Sequence, residues 1–249
     1  MITMLRTILK LSKDRGINVE KSAKRHLSFR GIEKAIKNYL EPRHAMAYKH
    51  VCQIGDPGLR QHTEPVRPEI IRSPQFQRLI KHLKSVMRTY KAMGLSANQI
   101  GVPYQMFAME VTEIHLRGLP EEYRSSRQME VTPLRVFVNP KMKILDYTKV
   151  KDTEECLSFI GYEAVVPRAK TVVIEALDDA GEPVVWKAHG WAARIIQHEM
   201  DHLEGKTYVD RMEPGTLECI YWSEINNRRG NVVVKYFPTN WLQRYWWSF

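Results

Sequence analysis

Two histidines four positions apart, in Gln197-His198-Glu199-Met200-Asp201-His202-Leu203-Glu204-Gly205, constrain this chain more than any other feature. Residues at that spacing share one face of a helix, so both imidazoles can grip a single metal ion. Glu199 follows the first histidine directly and sits where a carboxylate can take a proton from water at that ion. The spacing therefore predicts a helix from about Gly190 to Leu203, with Gly205 as its C-terminal stop.

Two histidines leave a catalytic metal short of a ligand, since such sites usually take three protein groups and keep one position open. The best source of the third is Cys156, in the polar segment Glu154-Glu155-Cys156-Leu157-Ser158. Cys219 lies in a stretch that reads as packing, Cys52 sits near the domain edge, and His189 stands close upstream of the helix. These remain alternatives on residue type alone. Three scattered cysteines exclude a disulfide framework and favour a reducing compartment.

A third segment, Gly94-Leu95-Ser96-Ala97-Asn98-Gln99-Ile100-Gly101, is small, glycine-bearing and polar in its middle. Glycine lets a backbone approach a ligand closely, and a glutamine amide can donate to a developing oxyanion. Around these motifs the chain reads as α+β. Glu69–Tyr90 has the apolar spacing of a long amphipathic helix, with Phe76, Leu79, Ile80, Leu83, Val86 and Met87 on its buried stripe. Short strands are expected at Gln105–Met109, Arg135–Val138, Met142–Tyr147, Ala164–Pro167, Thr171–Ala176 and Val184–Ala188. Asp178-Asp179-Ala180-Gly181 is a hairpin turn, and Arg117–Glu130 reads as a loop. These short strands are expected to pack around one central helix, in a single domain at residues 47–227.

Together, Gly94-Leu95-Ser96-Ala97-Asn98-Gln99, Glu154-Glu155-Cys156-Leu157-Ser158 and His198-Glu199-Met200-Asp201-His202 resemble, in order, the three motifs of peptide deformylases. Phe137-Val138-Asn139-Pro140 and Gly190–Gln197 look closest to the mitochondrial deformylases of animals. The resemblance implies that Cys156, His198 and His202 hold one divalent ion. A thiolate with two imidazoles suits Fe²⁺, Zn²⁺ or Co²⁺. It further implies that Glu199 moves the proton of the attacking water, and that Gln99 and the Leu157 N–H stabilise the oxyanion. The substrate would be an N-formyl-methionyl peptide, its backbone pairing near Met93 and Gly94. Trp191, Arg194 and Ile195 share the face of His198 and are expected at the methionine pocket.

The sequence departs from the family at three places. The cysteine motif normally reads Glu-Gly-Cys, and here Glu155 stands at the glycine, where it is expected to add a carboxylate near the metal and the peptide path. Ala92 replaces a glycine and Asn98 a common proline. Two other readings compete. A metallopeptidase of the His-Glu-x-x-His type would need no cysteine ligand, and a deformylase-like binding protein would recognise nascent N-termini without turnover.

The ends of the chain carry a different signal. The formal charge is +10, and the first thirty residues hold eight Lys/Arg against Asp14 and Glu20. That basic, acid-poor start, with Leu5, Ile8, Leu9 and Leu11 available for an apolar face, resembles a mitochondrial transit region and points to the matrix. Residues 1–46 are therefore expected to be an extension. The 228–249 tail mixes arginine with aromatics, which suits packing on its own domain, a mitochondrial ribosome contact or a membrane interface. No run approaches the ~18 apolar residues that a spanning helix needs. The sequence leaves the oligomeric state open.

Overall fold

The computed structural model describes residues 47–238. The expected transit region and the last part of the tail lie outside the described residues. Among those described, no helix is long and apolar enough to cross a membrane.

An antiparallel sheet forms the frame, with β1 (Gly94–Ser96), β2 (Met106–Val111), β3 (Thr132–Glu155), β4 (Tyr162–Leu177) and β5 (Pro183–His189) in sequential order. A short β6 (Glu218–Cys219) pairs with β4. The helices are α1 (Pro68–Ile71), α2 (Pro74–Thr89), α3 (Glu113–Leu116), α4 (Glu121–Ser126), α5 (Gly190–Leu203) and α6 (Trp222–Asn227).

β2 explains the layering. Met106 and Ala108 join one buried cluster with Ile80, Leu83 and Met87 of α2, whereas Phe107 and Met109 join another with Ala193 and Ile196 of α5. Alternate residues of a strand face opposite ways, so β2 is sandwiched between two helices. That double burial is why its sequence is a continuous apolar run rather than an alternating one. Phe107 and Phe137, with ring centroids 5.0 Å apart, floor the sheet under α5.

The strands are longer than expected. Four of the predicted short runs fuse into two long ones, because irregular residues are absorbed as register shifts between Val138 and Lys141 and between Ile144 and Lys149. At the first of these Asn139 takes φ +53°, and its side chain exchanges 2.7 Å bonds with both backbone groups of Val66. The predicted Asp178 turn is present, with Asp178 Oδ1 accepting from Ala180 N and Glu182 N.

Two helical expectations change. The Glu69–Tyr90 helix breaks at Arg72-Ser73, where Ser73 caps a fresh helix beginning at Pro74. Proline cannot continue a helix but suits its first turn, so the break follows from Pro74. The 117–130 segment holds α4 rather than only loop, and Leu116 and Met129 bury themselves beside α5. The described part of the tail returns to its own domain: Tyr90 donates to the Tyr236 carbonyl at 2.7 Å, and its ring meets Phe237 edge-on.

Candidate active site

α5 runs from Gly190 to Leu203 as predicted, and Gly205 follows it at φ +69°. A Cβ at Gly205 would lie 2.6 Å from the Arg60 carbonyl, so only glycine fits that close approach. The helix lays Ala193, Ile196 and Leu203 against the sheet and presents His198, Glu199 and His202 to the end of β3.

Cys156 comes just after β3, and its Sγ lies 3.2 Å from His202 Nε2. The ligand atoms of Cys156, His198 and His202 all lie within 4.8 Å of one another. Tetrahedral coordination with ordinary metal–sulfur and metal–nitrogen bonds needs a sulfur-to-nitrogen separation of roughly 3.6 Å, which this cluster meets with little adjustment. Cys52, Cys219 and His189 are not part of it. Cys52 is buried, and burial together with the nearby Asp56 pushes its thiol up to about 12, the opposite of an activated thiolate.

Glu154 completes the centre. Its Oε2 lies 2.9 Å from His198 Nδ1, which leaves Nε2 as the free ring nitrogen. Both oxygens also accept from Arg168, Nε and Nη2 each at 2.9 Å, and Oε1 accepts from Arg194 Nη1 at 2.8 Å. Burial alone would raise its pKa, but Arg168 and His198 hold the carboxyl well below the usual range. Arg168 reaches on to Asp201, one helical turn from His198. Burial, then the neighbouring His198 and Arg168, lower the pKa of His202, whereas Cys156 and Glu154 raise that of His198 against its burial.

Glu199 and Gln99 flank the cluster. Ser96 Oγ donates to Glu199 Oε2 at 2.6 Å, while the Ser96 N–H donates to Gln99 Oε1 at 2.9 Å. One residue therefore orients both side chains. With its oxygen tied, Gln99 turns its NH₂ inward, 3.6 Å from Cys156 Sγ and 3.1 Å from Ser158 Oγ. Burial pushes the Glu199 carboxyl up to about 7, against the opposing pull of His198 and Ser96. Leu157 directly follows the cysteine, and its carbonyl accepts from Gln53 Nε2 at 2.8 Å, which fixes the peptide beside the centre.

The other expected residues divide. Gly94 abuts the site, since a Cβ there would fall 2.4 Å from Glu199 Oε1 and 3.0 Å from Ile195 Cγ2. Met93 and Trp191 meet, the indole N–H donating to Met93 Sδ at 3.2 Å. Arg194 is a correction: instead of reaching the pocket it is buried, and it donates to Glu154 and the carbonyls of Val166 and Val150. Its Cα lies on the expected face, but its long side chain is captured by the buried carboxylate.

Glu155 is a second correction. Successive residues of a strand point to opposite faces, so with Glu154 turned to His198, Glu155 turns away, where partial burial of its carboxyl and the facing Glu163 push it up to about 7. It pairs across the ladder with Glu163, which pairs in turn with Glu218.

Sequence reasoning assigned no role to Glu154, Arg168, Ser96 or Gln53. Glu154 was within reach, because it stands two residues before Cys156 on an extended segment and so shares its face. Arg168 and Gln53 carry no such local mark.

A family model described as polypeptide deformylase matches residues 48–217. The chain is 46% identical to the mitochondrial peptide deformylase of Homo sapiens over 209 residues, 84% of each protein. It is similar to the crystal structure of the Ehrlichia chaffeensis peptide deformylase in complex with actinonin, at TM-score 0.57 and 28% identity, covering 68% of this chain and 91% of that one. A Met-Ala-Ser-bound class I type b peptide deformylase from Acinetobacter baumannii gives TM-score 0.57 and 25% identity, over 67% and 100% of the two chains.

Proposed function

The chain belongs to the polypeptide deformylase family, and from that membership we propose how its residues divide the work of the reaction. The protein is a metal-dependent hydrolase that removes the formyl group from N-formyl-methionine at the start of newly made mitochondrial proteins.

Cys156, His198 and His202 hold one divalent ion in this reading, Fe²⁺, Zn²⁺ or Co²⁺ being the ions that a thiolate with two imidazoles suits. The bound ion supplies a Lewis acid for the formyl oxygen and lowers the pKa of a water. Glu199 takes the proton of the attacking water and returns it to the departing amine, releasing formate and a free N-terminus. Its raised pKa suits a group that must both accept and donate near neutrality. Gln99 Nε2 and the Leu157 N–H donate to the oxyanion as the carbonyl carbon becomes tetrahedral. Met93, Gly94, Trp191 and Ile195 border the peptide and its methionine side chain, while Arg194 serves by holding Glu154.

The observation that carries this reading is the Ser96 bridge, which aims a base and an oxyanion donor at one three-ligand cluster. Neither competing reading accounts for it: a metallopeptidase has no use for Cys156, and a binding protein has no use for a buried base. The experiment is formate release from a formyl-methionyl tripeptide by Co²⁺-loaded protein. Turnover should disappear in Glu199→Gln while the ion stays bound. Equal turnover in that variant would refute the proposed base.

We further propose the mitochondrial matrix as its compartment and residues 1–46 as the transit region. Support comes from the mitochondrial relative and from eleven Lys/Arg against four Asp/Glu in that segment. The cation-rich ends leave contact with the mitochondrial ribosome as a proposal, to be checked by co-sedimentation.

A further inference from the structure

Asn98 has no part in the chemistry above, yet the residue is only 2% exposed and lies next to Gln99. Its Nδ2 donates to the backbone carbonyl of His202 at 2.7 Å, across 104 residues of sequence. That carbonyl belongs to the last turn of α5, where helical N–H partners run out. The N–H groups of Gly205, at 3.1 Å, and of Glu204 also reach it.

The two histidines differ in how they are held. Glu154 grips the ring of His198 at Nδ1, which sets its orientation directly. The His202 ring is completely buried, but its Nδ1 has no hydrogen-bond partner among the described residues. Beyond the Cys156 Sγ at its Nε2, backbone placement and packing orient it, and among the described residues Asn98 supplies the one side-chain bond to that backbone group. The other half of the Asn98 amide is costly, since Oδ1 is buried without a partner among the described residues. Alanine would avoid that cost, as would the proline common at this position.

We propose that Asn98 is the positioning residue for His202, tying the Gln99 turn to the metal-bearing end of α5 so that donor and ligand keep one spacing. The proposal rests on Cys156, His198 and His202 being the metal centre. It assigns to this chain a brace that proline, lacking a donor, cannot provide.

The test titrates Co²⁺ into the full chain carrying Asn98→Ala, Asn98→Pro or Cys156→Ala, following chelator competition and the visible absorption of the bound ion. Pro is tolerated in the first turn of a helix, so Asn98→Pro is the variant least liable to misfold. The expected result is Co²⁺ affinity lower by about 10- to 100-fold in both Asn98 variants, the size typical of a lost supporting contact. The absorption bands should shift, and kcat should fall more than KM rises. Folded Asn98 variants with the parent's affinity and spectrum, alongside a Cys156→Ala that loses the ion, would overturn the brace alone. A Cys156→Ala that keeps the parent spectrum would overturn the metal centre, and the brace with it.

Discussion

The Glu154 carboxylate touches His198 Nδ1 at 2.9 Å while two arginines, Arg168 and Arg194, hold its oxygens from behind. The ligand ring is thus oriented by a group that is itself immobilised. Glu154, Arg168 and Arg194 are all buried, so their electrostatics are little screened by solvent.

Replacing Glu154 by Gln should therefore do two kinds of damage. His198 loses the acceptor that sets its tautomer, and metal affinity should fall by about 10- to 100-fold. Arg168 and Arg194 keep their charges without the carboxylate, which costs on the order of 3–5 kcal/mol for a broken buried pair. Chelator competition and urea denaturation would measure the two effects separately. An unchanged affinity would show that His198 is positioned by packing alone.

Gly94→Ala tests the closeness of the peptide strand to the base. The added methyl would meet Glu199 Oε1 at 2.4 Å, and a side chain seated that tightly must shift. A displacement of about 1 Å typically costs near 100-fold in turnover. We expect that loss in kcat with the ion still bound. Turnover within a few-fold of the parent would mean that Glu199 has room to move.

The row Glu155–Glu163–Glu218 makes a prediction about stability and pH. Like charges directly opposite on a sheet are destabilising, so Glu163→Gln should gain about 0.2–1 kcal/mol near neutrality. Burial and then the hydrogen-bonded Glu218 raise the Glu163 pKa above its unfolded value. Its ionisation therefore costs stability above that pKa, and the cost fades as pH falls and the folded carboxyl takes up a proton. The advantage of Glu163→Gln should shrink from pH 8 to pH 5 in thermal melts. A constant or growing advantage would contradict the proposed origin.

Stripping the metal should lower the melting temperature, because only the folded chain brings Cys156 to the histidines. With ion present at about 100 times Kd the linkage contributes about 2.7 kcal/mol. For a domain of this size that corresponds to roughly 5–10 °C. Cys156→Ser should lose most of the response to added Co²⁺, and an undiminished response would point to a different ligand set.

Much of this centre is local and therefore readable. The 3.6-residue period places His198, Glu199 and His202 together before any fold is known, and Gly205 marks the stop because its backbone is left-handed. The family pattern then brings in Cys156 and Gln99. Tertiary structure decided the rest. Arg168 reaches Glu154 only because β3 and β4 pair in their observed register, and Arg194 abandons the pocket because a buried carboxylate attracts it more strongly. The pleat, acting on one residue, turns Glu155 from an added metal-side carboxylate into part of an acidic row on the other face of the strand. Periodicity specifies which face a residue occupies. What a long side chain does from that face depends on partners that only the folded chain assembles.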